Sequence, residues 1–106
     1  MSYTSIKIEP LHRNNFDTWK IQSQALLARN ELWQYVSGAC TKPTEAAAAA
    51  EWKNNDAKAK ADLILAISPS DPQHIKNCAT SKDLFIYLFY LFILINYKTC
   101  VYQLIH

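Results

Sequence analysis

The sequence predicts an all-α fold, a small orthogonal or bundle-like arrangement of about five helices with an apolar helix at the C-terminus. Three observations lead to this prediction. No segment of residues 1–83 alternates apolar and polar residues as a half-buried strand does. The alanine run 46–50 has high intrinsic helix propensity, and helix start and stop residues recur between the apolar segments. With 106 residues, the chain has room for one hydrophobic core.

The first two helices are predicted to follow one another closely. Asn14 and Asn15 are of the residue type that accepts hydrogen bonds from the first amides of a helix. Apolar residues at helical spacing follow them. Gly38, the only glycine of the chain, predicts a left-handed stop after a short second helix over residues 31–36.

The remaining helices are delimited by capping residues and prolines. Thr44 is the predicted N-cap of a long third helix, from residue 45 to about 67. Pro69 ends this helix because proline disfavours helical geometry at the residue before it. A short fourth helix has Pro72 near its first turn. Residues 80–83, Thr-Ser-Lys-Asp, are a variant of the capping box and predict the start of a fifth helix.

The composition changes sharply near residue 84. Nineteen of the twenty charged residues lie in residues 1–83, whereas seven of the thirteen aromatic residues lie in 84–106. We therefore predict a helical module over residues 1–84 and an apolar tail over residues 85–106. Three interpretations of the tail stay open: an accidental coding sequence, a marginal membrane anchor, or a genuine buried helix.

No constellation of catalytic or metal-binding residues is recognisable. The three histidines and three cysteines are widely spaced and form no nucleophile or zinc pattern (His12, His74, His106, Cys40, Cys78, Cys100). One glycine cannot build a phosphate-binding loop. The sequence therefore predicts a chain that is not an enzyme and binds no metal or cofactor. The unpaired cysteines and the N-terminus, which has no signal peptide, indicate the cytoplasm.

Two groups of residues stand out as candidates for structure and binding. Apolar residues at helical spacing are predicted to form the core and its assembly contacts: Phe16, Trp19, Leu26, Leu27, Trp33, Trp52, Leu63 and Ile67. Three lysines of the third helix, Lys53, Lys58 and Lys60, are candidates for a weak RNA contact. Glu51, Asp56 and Asp62 interleave with these lysines, a pattern more typical of a solvated helix face.

Residues 10–84 also resemble a known family. The series that carries the resemblance is Asn15-Phe16-Asp17-Thr18-Trp19-Lys20, Ala25-Leu26-Leu27, Leu32-Trp33, Gly38, Trp52, Asp56, 57–61 (Ala-Lys-Ala-Lys-Ala), Ile64, Ile67-Ser68-Pro69 and 80–84 (Thr-Ser-Lys-Asp-Leu). In order and spacing it resembles the N-terminal part of Gag polyproteins from copia-type LTR retrotransposons. The resemblance implies an all-helical, capsid-like module whose copies assemble into a particle shell around the RNA of the element.

The sequence departs from the family pattern after residue 84. Phe85 stands where the family usually has tryptophan, and the stretch that follows is apolar rather than amphipathic. The zinc knuckle, protease, integrase and reverse transcriptase regions of the full polyprotein do not occur in these 106 residues. The resemblance thus implies a truncated, degenerate Gag fragment in which helix ends and loops, such as 39–44 and 68–73, meet neighbouring copies and particle assembly is weak or absent.

The partners expected from this interpretation are other copies of the chain and other Gag copies, with RNA bound weakly. The chain would lie in the cytoplasm, within virus-like particles where assembly is intact. The alternatives are an RNA-binding domain that acts through the lysine-bearing face, and a membrane-anchored peptide that depends wholly on the apolar tail.

Overall fold

The computed structural model of the chain describes residues 8–12, 14–67 and 72–105. Within these residues the backbone forms five helices and no β-strand, which confirms the predicted all-α class. The only extended pairing in the described part is an isolated parallel bridge between Leu11 and Ile67. In chain order the helices are α1 (Phe16–Arg29), α2 (Trp33–Ser37), α3 (Ala46–Leu65), α4 (Pro72–Asn77) and α5 (Ser81–Ile105).

Asn15 precedes α1, as predicted, but its side chain does not cap the helix. The amide nitrogen of Asn15 donates to the carbonyl of Pro10 at 3.0 Å, and its oxygen accepts from the backbone N–H of His12 at 2.8 Å. This side chain therefore fixes the path by which the chain enters α1, because it is bonded to the segment before the helix rather than to the helix amides.

The second helix is short and begins later than predicted. Glu31 adopts a left-handed backbone conformation with φ of 61°, so the chain turns there and α2 begins at Trp33. A non-glycine residue in this region is uncommon, and the sequence pattern did not indicate it. Gly38 ends α2 with φ of 84°, which confirms the predicted left-handed stop.

The start and end of α3 each differ slightly from the prediction. Thr44 was the wrong choice of N-cap: Glu45 takes that position, and its side chain accepts from the amide of Ala48, three residues further on, at 2.9 Å. The helix ends at Leu65. The carbonyl of the next residue, Ala66, accepts from the backbone N–H of Leu11 and the indole N–H of Trp19, both outside the helix. The predicted stop at Pro69 lies outside the described residues.

The last two helices begin where the sequence indicated. Pro72 opens α4, and Thr80 precedes α5. The Thr80 hydroxyl accepts from the amide of Asp83 at 3.1 Å, the hydrogen bond that a capping box places at a helix start. Residues 80–83 alone were therefore sufficient to predict the cap at the start of α5.

The core lies between α1, α2, α3 and the first part of α5. Three residues of α5 at intervals of four, Leu84, Leu88 and Phe92, are buried against it. Phe92 stacks on Phe16 of α1 with ring centroids 4.1 Å apart. Together with α4, these helices bury one contiguous cluster: Trp19, Leu27, Leu32, Val36, Ala59, Leu63, Ala66, Ile67, Ile75, Leu84 and Leu88.

Candidate self-association and lysine-bearing surfaces

The eight residues expected to form the core and its assembly contacts divide into two groups. Trp19, Leu27, Leu63 and Ile67 are buried in the central cluster. The other four are half-buried: Phe16 and Trp33 pack against the cluster from its edge, whereas Leu26 and Trp52 lie outside it. The side chains of the second group are therefore partly accessible at the surface.

Trp19 joins three helices. Its indole N–H donates to the carbonyl of Ala66 at 2.8 Å, which ties α1 to the end of α3. Its ring lies between those of Phe16 and Phe85, with centroid separations of 6.4 and 6.3 Å. A buried indole N–H needs a partner, and Ala66 supplies it, so Trp19 contacts both the residue that follows α3 and the first part of α5.

Trp52 holds the loop between α2 and α3. Its indole N–H donates to the carbonyl of Cys40 at 2.8 Å, and its ring meets the edge of Tyr35 at 6.0 Å. The Tyr35 hydroxyl in turn accepts from the side-chain amide of Asn55 at 3.0 Å. The loop 39–44, one of the predicted contact regions, is thereby anchored to α3 through its backbone.

The α3–α5 junction depends on a carboxylate that sequence reasoning placed in solvent. That expectation was wrong: Asp56 is buried, and one of its oxygens accepts from both the backbone amide (3.1 Å) and the hydroxyl (2.6 Å) of Ser81. Asp56 lies three and seven residues before Ala59 and Leu63, both buried, so all three share a helix face. This spacing is the sequence feature from which the burial of Asp56 could have been predicted.

The three candidate lysines have different surroundings. Lys53 lies beside Lys42 of the preceding loop, and the repulsion between the two ammonium groups lowers the pKa of Lys42. Lys58 lines a polar cleft that also contains Arg29. Lys60 is half-buried and donates to the carbonyl of Cys78 just before α5. Lys60 is thus engaged in the fold, contrary to the solvated position expected for it.

The polar cleft between the α1–α2 turn and α3 has a volume of about 460 Å³. Arg29 and Lys58 give it two cationic side chains, and Glu31 gives it one anionic side chain. Tyr35 and Asn55 add hydrogen-bonding groups to the same wall. The lining of the cleft therefore carries two cationic side chains and one anionic side chain.

The helix α5 carries a second apolar face, opposite the one that packs on the core. We call it the outer stripe, and it consists of four residues that are 54%, 60%, 52% and 37% exposed: Ile86, Tyr90, Ile93 and Leu94. Within residues 85–94, the part of the predicted tail whose side chains the structure describes, Leu88 and Phe92 are buried in the core and the outer stripe is exposed. Among the described residues, no helix combines the length and apolar character that crossing a bilayer requires.

Two of the histidines and one cysteine take part in local contacts: His12, His74 and Cys78. The side chain of Cys100 lies outside the described part of the chain. His12 bonds to Glu9, and the ring of His74 stacks on Tyr87 at 4.8 Å. The Cys78 thiol donates to the carbonyl of His74 at 3.3 Å, and burial raises the pKa of this thiol. In the described part of the chain, no three potential metal ligands come together. His106 lies outside the described residues.

Comparison with known families identifies a family model that covers most of the chain. A family model described as the gag-polypeptide of LTR copia-type matches residues 23–92, about two thirds of the chain. The matched region runs from the middle of α1 into α5 and contains Leu88 and Phe92, beyond the predicted module boundary at residue 84. No curated protein and no solved structure matches the chain. The placement of that boundary, and the origin of residues 85–106, stay predictions.

Proposed function

This chain belongs to the gag-polypeptide family of LTR copia-type elements, and we propose that it is a structural, non-enzymatic module that associates with further copies of itself and with other Gag copies. The single observation that carries the proposal is the family match, which spans most of the five-helix bundle rather than one motif. Its site of action is the cytoplasm, where Gag copies would gather around the RNA of the element.

The way the bundle is held together suits a subunit that presents fixed surfaces. Side chains bond to distant backbone groups at three junctions: Trp19 to Ala66, Trp52 to Cys40, and Asp56 to Ser81. Hydrogen bonds of this kind hold adjoining elements in one arrangement. A shell is built from many individually weak contacts, which add up only when each subunit repeats the same geometry.

Sedimentation velocity of the purified full chain tests the proposal. Over about 1–200 µM, the range in which weak interfaces form, the average mass should rise above the 12.2 kDa of one chain. Electron microscopy of the concentrated sample would show whether the associated species are closed shells. A chain that sediments as a monomer at every concentration would contradict the proposal.

A second candidate function, weak RNA binding, is favoured by the polar cleft. Arg29 and Lys58 come from different helices to line it, beside Tyr35 and Asn55. Fluorescence anisotropy with a single-stranded oligonucleotide should then show affinity that falls with salt. The substitution Lys58→Glu should remove most of the binding. Lys53→Glu, on the same helix but away from the cleft, serves as the charge-matched control.

Equal losses of affinity in the two lysine variants would mean that RNA responds to total charge and not to the cleft. An affinity that does not change with salt would contradict RNA binding through these side chains altogether.

A further inference from the structure

We propose that the outer stripe of α5 is a self-association surface, on which two copies of this chain pair in antiparallel fashion about a two-fold axis at Tyr90. This inference rests on the proposed function, which it deepens by naming the contact. The stripe contains the residues Ile86, Tyr90, Ile93 and Leu94 defined above.

The exposed apolar residues of this chain are concentrated in the stripe. Among the described residues, six large hydrophobic side chains are exposed, and four of them lie within nine consecutive positions of α5. The other two, Ile21 and Leu65, lie on different helices. Single exposed hydrophobic residues are ordinary, whereas the largest contiguous apolar patch of a chain, typically a few hundred Å², is often an interaction surface.

The spacing of the residues within the stripe indicates that the molecule covering it is a second copy of the chain. Ile86 lies four residues before Tyr90 and Leu94 lies four residues after it. When two such helices pack antiparallel, Tyr90 of one copy meets Tyr90 of the other, and Ile86 lies beside Leu94 of the other copy. A patch that matches itself under a two-fold rotation is the requirement for an isologous dimer contact.

The distribution of charge also favours a second copy of the chain as the partner of the stripe. No charged residue occurs between Asp83 and Lys98, so residues 84–96 of two copies can pair without bringing like charges together. Lys82 and Lys98, which fall at the same level in this register, lie beyond that stretch. A partner chosen by charge would need a complementary charge on this face, and the stripe has none. A helix that lies on a membrane surface instead has a strongly polar opposite face, whereas the opposite face of α5 carries Leu84, Leu88 and Phe92 and is buried in the core.

The size of the stripe predicts a weak contact. At roughly 150–250 Å² for each large side chain, the exposed fractions amount to about 400 Å² per copy and about 800 Å² per pair. Stable interfaces bury about 1,200–2,000 Å², and smaller ones are transient. We therefore expect a dimer that forms reversibly and in a concentration-dependent way, as a contact between shell subunits must.

Complementary charges at the axis provide the test. Because Tyr90 would face its own copy, Tyr90→Glu or Tyr90→Lys puts two like charges together in the pair, and sedimentation velocity should show each variant dissociating at least tenfold more readily than the parent chain. An equimolar mixture of the two variants should recover association, since Glu then faces Lys. The control pair is Ile21→Glu and Ile21→Lys, at an exposed apolar position of α1, which should associate as the parent chain does, alone or mixed.

The possible results separate this inference from the proposed function. If the parent chain and the Tyr90 variants associate equally well, the stripe is not the self-association surface, and the proposed function still stands. Variants that are monomeric alone and also when mixed overturn the two-fold axis at Tyr90. A parent chain that is monomeric at all concentrations contradicts both proposals. If the parent chain floats with phosphatidylcholine vesicles and the Tyr90 variants do not, the stripe binds a lipid surface instead of a second copy. Far-UV circular dichroism confirms that each variant remains folded.

Discussion

Replacing Asp56 by alanine should destabilise the chain by about 2–4 kcal/mol, because two hydrogen bonds to a charged acceptor are lost at a buried site. Asp56 is 6% exposed and Ser81 is fully buried. Alanine would leave the amide and the hydroxyl of Ser81 without their acceptor, and each unsatisfied buried donor costs about 1–3 kcal/mol. Asp56→Asn keeps one acceptor oxygen but no charge, so its effect should be about half as large.

Urea unfolding followed by far-UV circular dichroism measures the change in the free energy of unfolding. The measurement belongs at low micromolar concentration, because association of folded copies adds apparent stability. Glu51→Ala is the matched control: Glu51 is exposed on the same helix, and its loss should change stability by no more than about 0.5 kcal/mol.

A double-mutant cycle with Ser81→Ala isolates the pair. Contacting residues in one hydrogen-bond network show coupling of about 0.5–3 kcal/mol, and we expect a value in the upper half of that range. If Asp56→Ala costs no more than Glu51→Ala, or if the two substitutions are additive, the carboxylate does not hold α3 to α5 and the reasoning is wrong.

Three further predictions concern single residues. Trp19→Phe should cost about 1–3 kcal/mol in urea unfolding, since the carbonyl of Ala66 loses the indole N–H; an unchanged midpoint would contradict this. Gly38→Ala should lower the free energy of unfolding by about 1–2 kcal/mol, because φ of 84° is left-handed. The added carbon would also come within 2.9 Å of the Lys82 ammonium. Combining Gly38→Ala with Lys82→Ala should relieve this contact but not the backbone strain. At pH 8, Cys78 should be alkylated at least about threefold more slowly in the folded chain than in urea, because its raised pKa leaves less thiolate. The difference should shrink as the pH rises through that raised pKa, and equal rates at pH 8, measured by peptide mass spectrometry, would refute it.

The features that sequence reasoning predicted well are those set by neighbouring residues. Gly38 ends α2 because only glycine enters the left-handed region without cost. Thr80 caps α5 through an amide three residues away. The long α3 forms over an alanine-rich stretch with high intrinsic propensity. In each case the cause and the effect lie within one or two helical turns.

The features that sequence reasoning missed depend on partners far away along the chain. Asp56 bonds to Ser81, 25 residues later, and Lys60 to Cys78, 18 residues later. Read on α3 alone, both side chains belong to a mixed-charge pattern that is typical of a solvated face. Their burial follows from where α5 begins, which no local pattern specifies. The left-handed turn at Glu31 was likewise missed, since glutamate has no local preference for this conformation.

The helix α5 shows how a change of composition can leave a fold intact and alter a surface. The sequence becomes almost uncharged after Asp83, yet the helix runs without a break from Ser81 to Ile105. Its inner face needs only apolar residues at intervals of four, which Leu84, Leu88 and Phe92 supply. The bundle of α1 to α4 covers only that face. The outer stripe is consequently left exposed, and its apolar area can be removed from water only by another molecule. Pairing with a second copy, as proposed above, would remove this apolar area from water and would account for an end of the chain that is unusual for an isolated bundle.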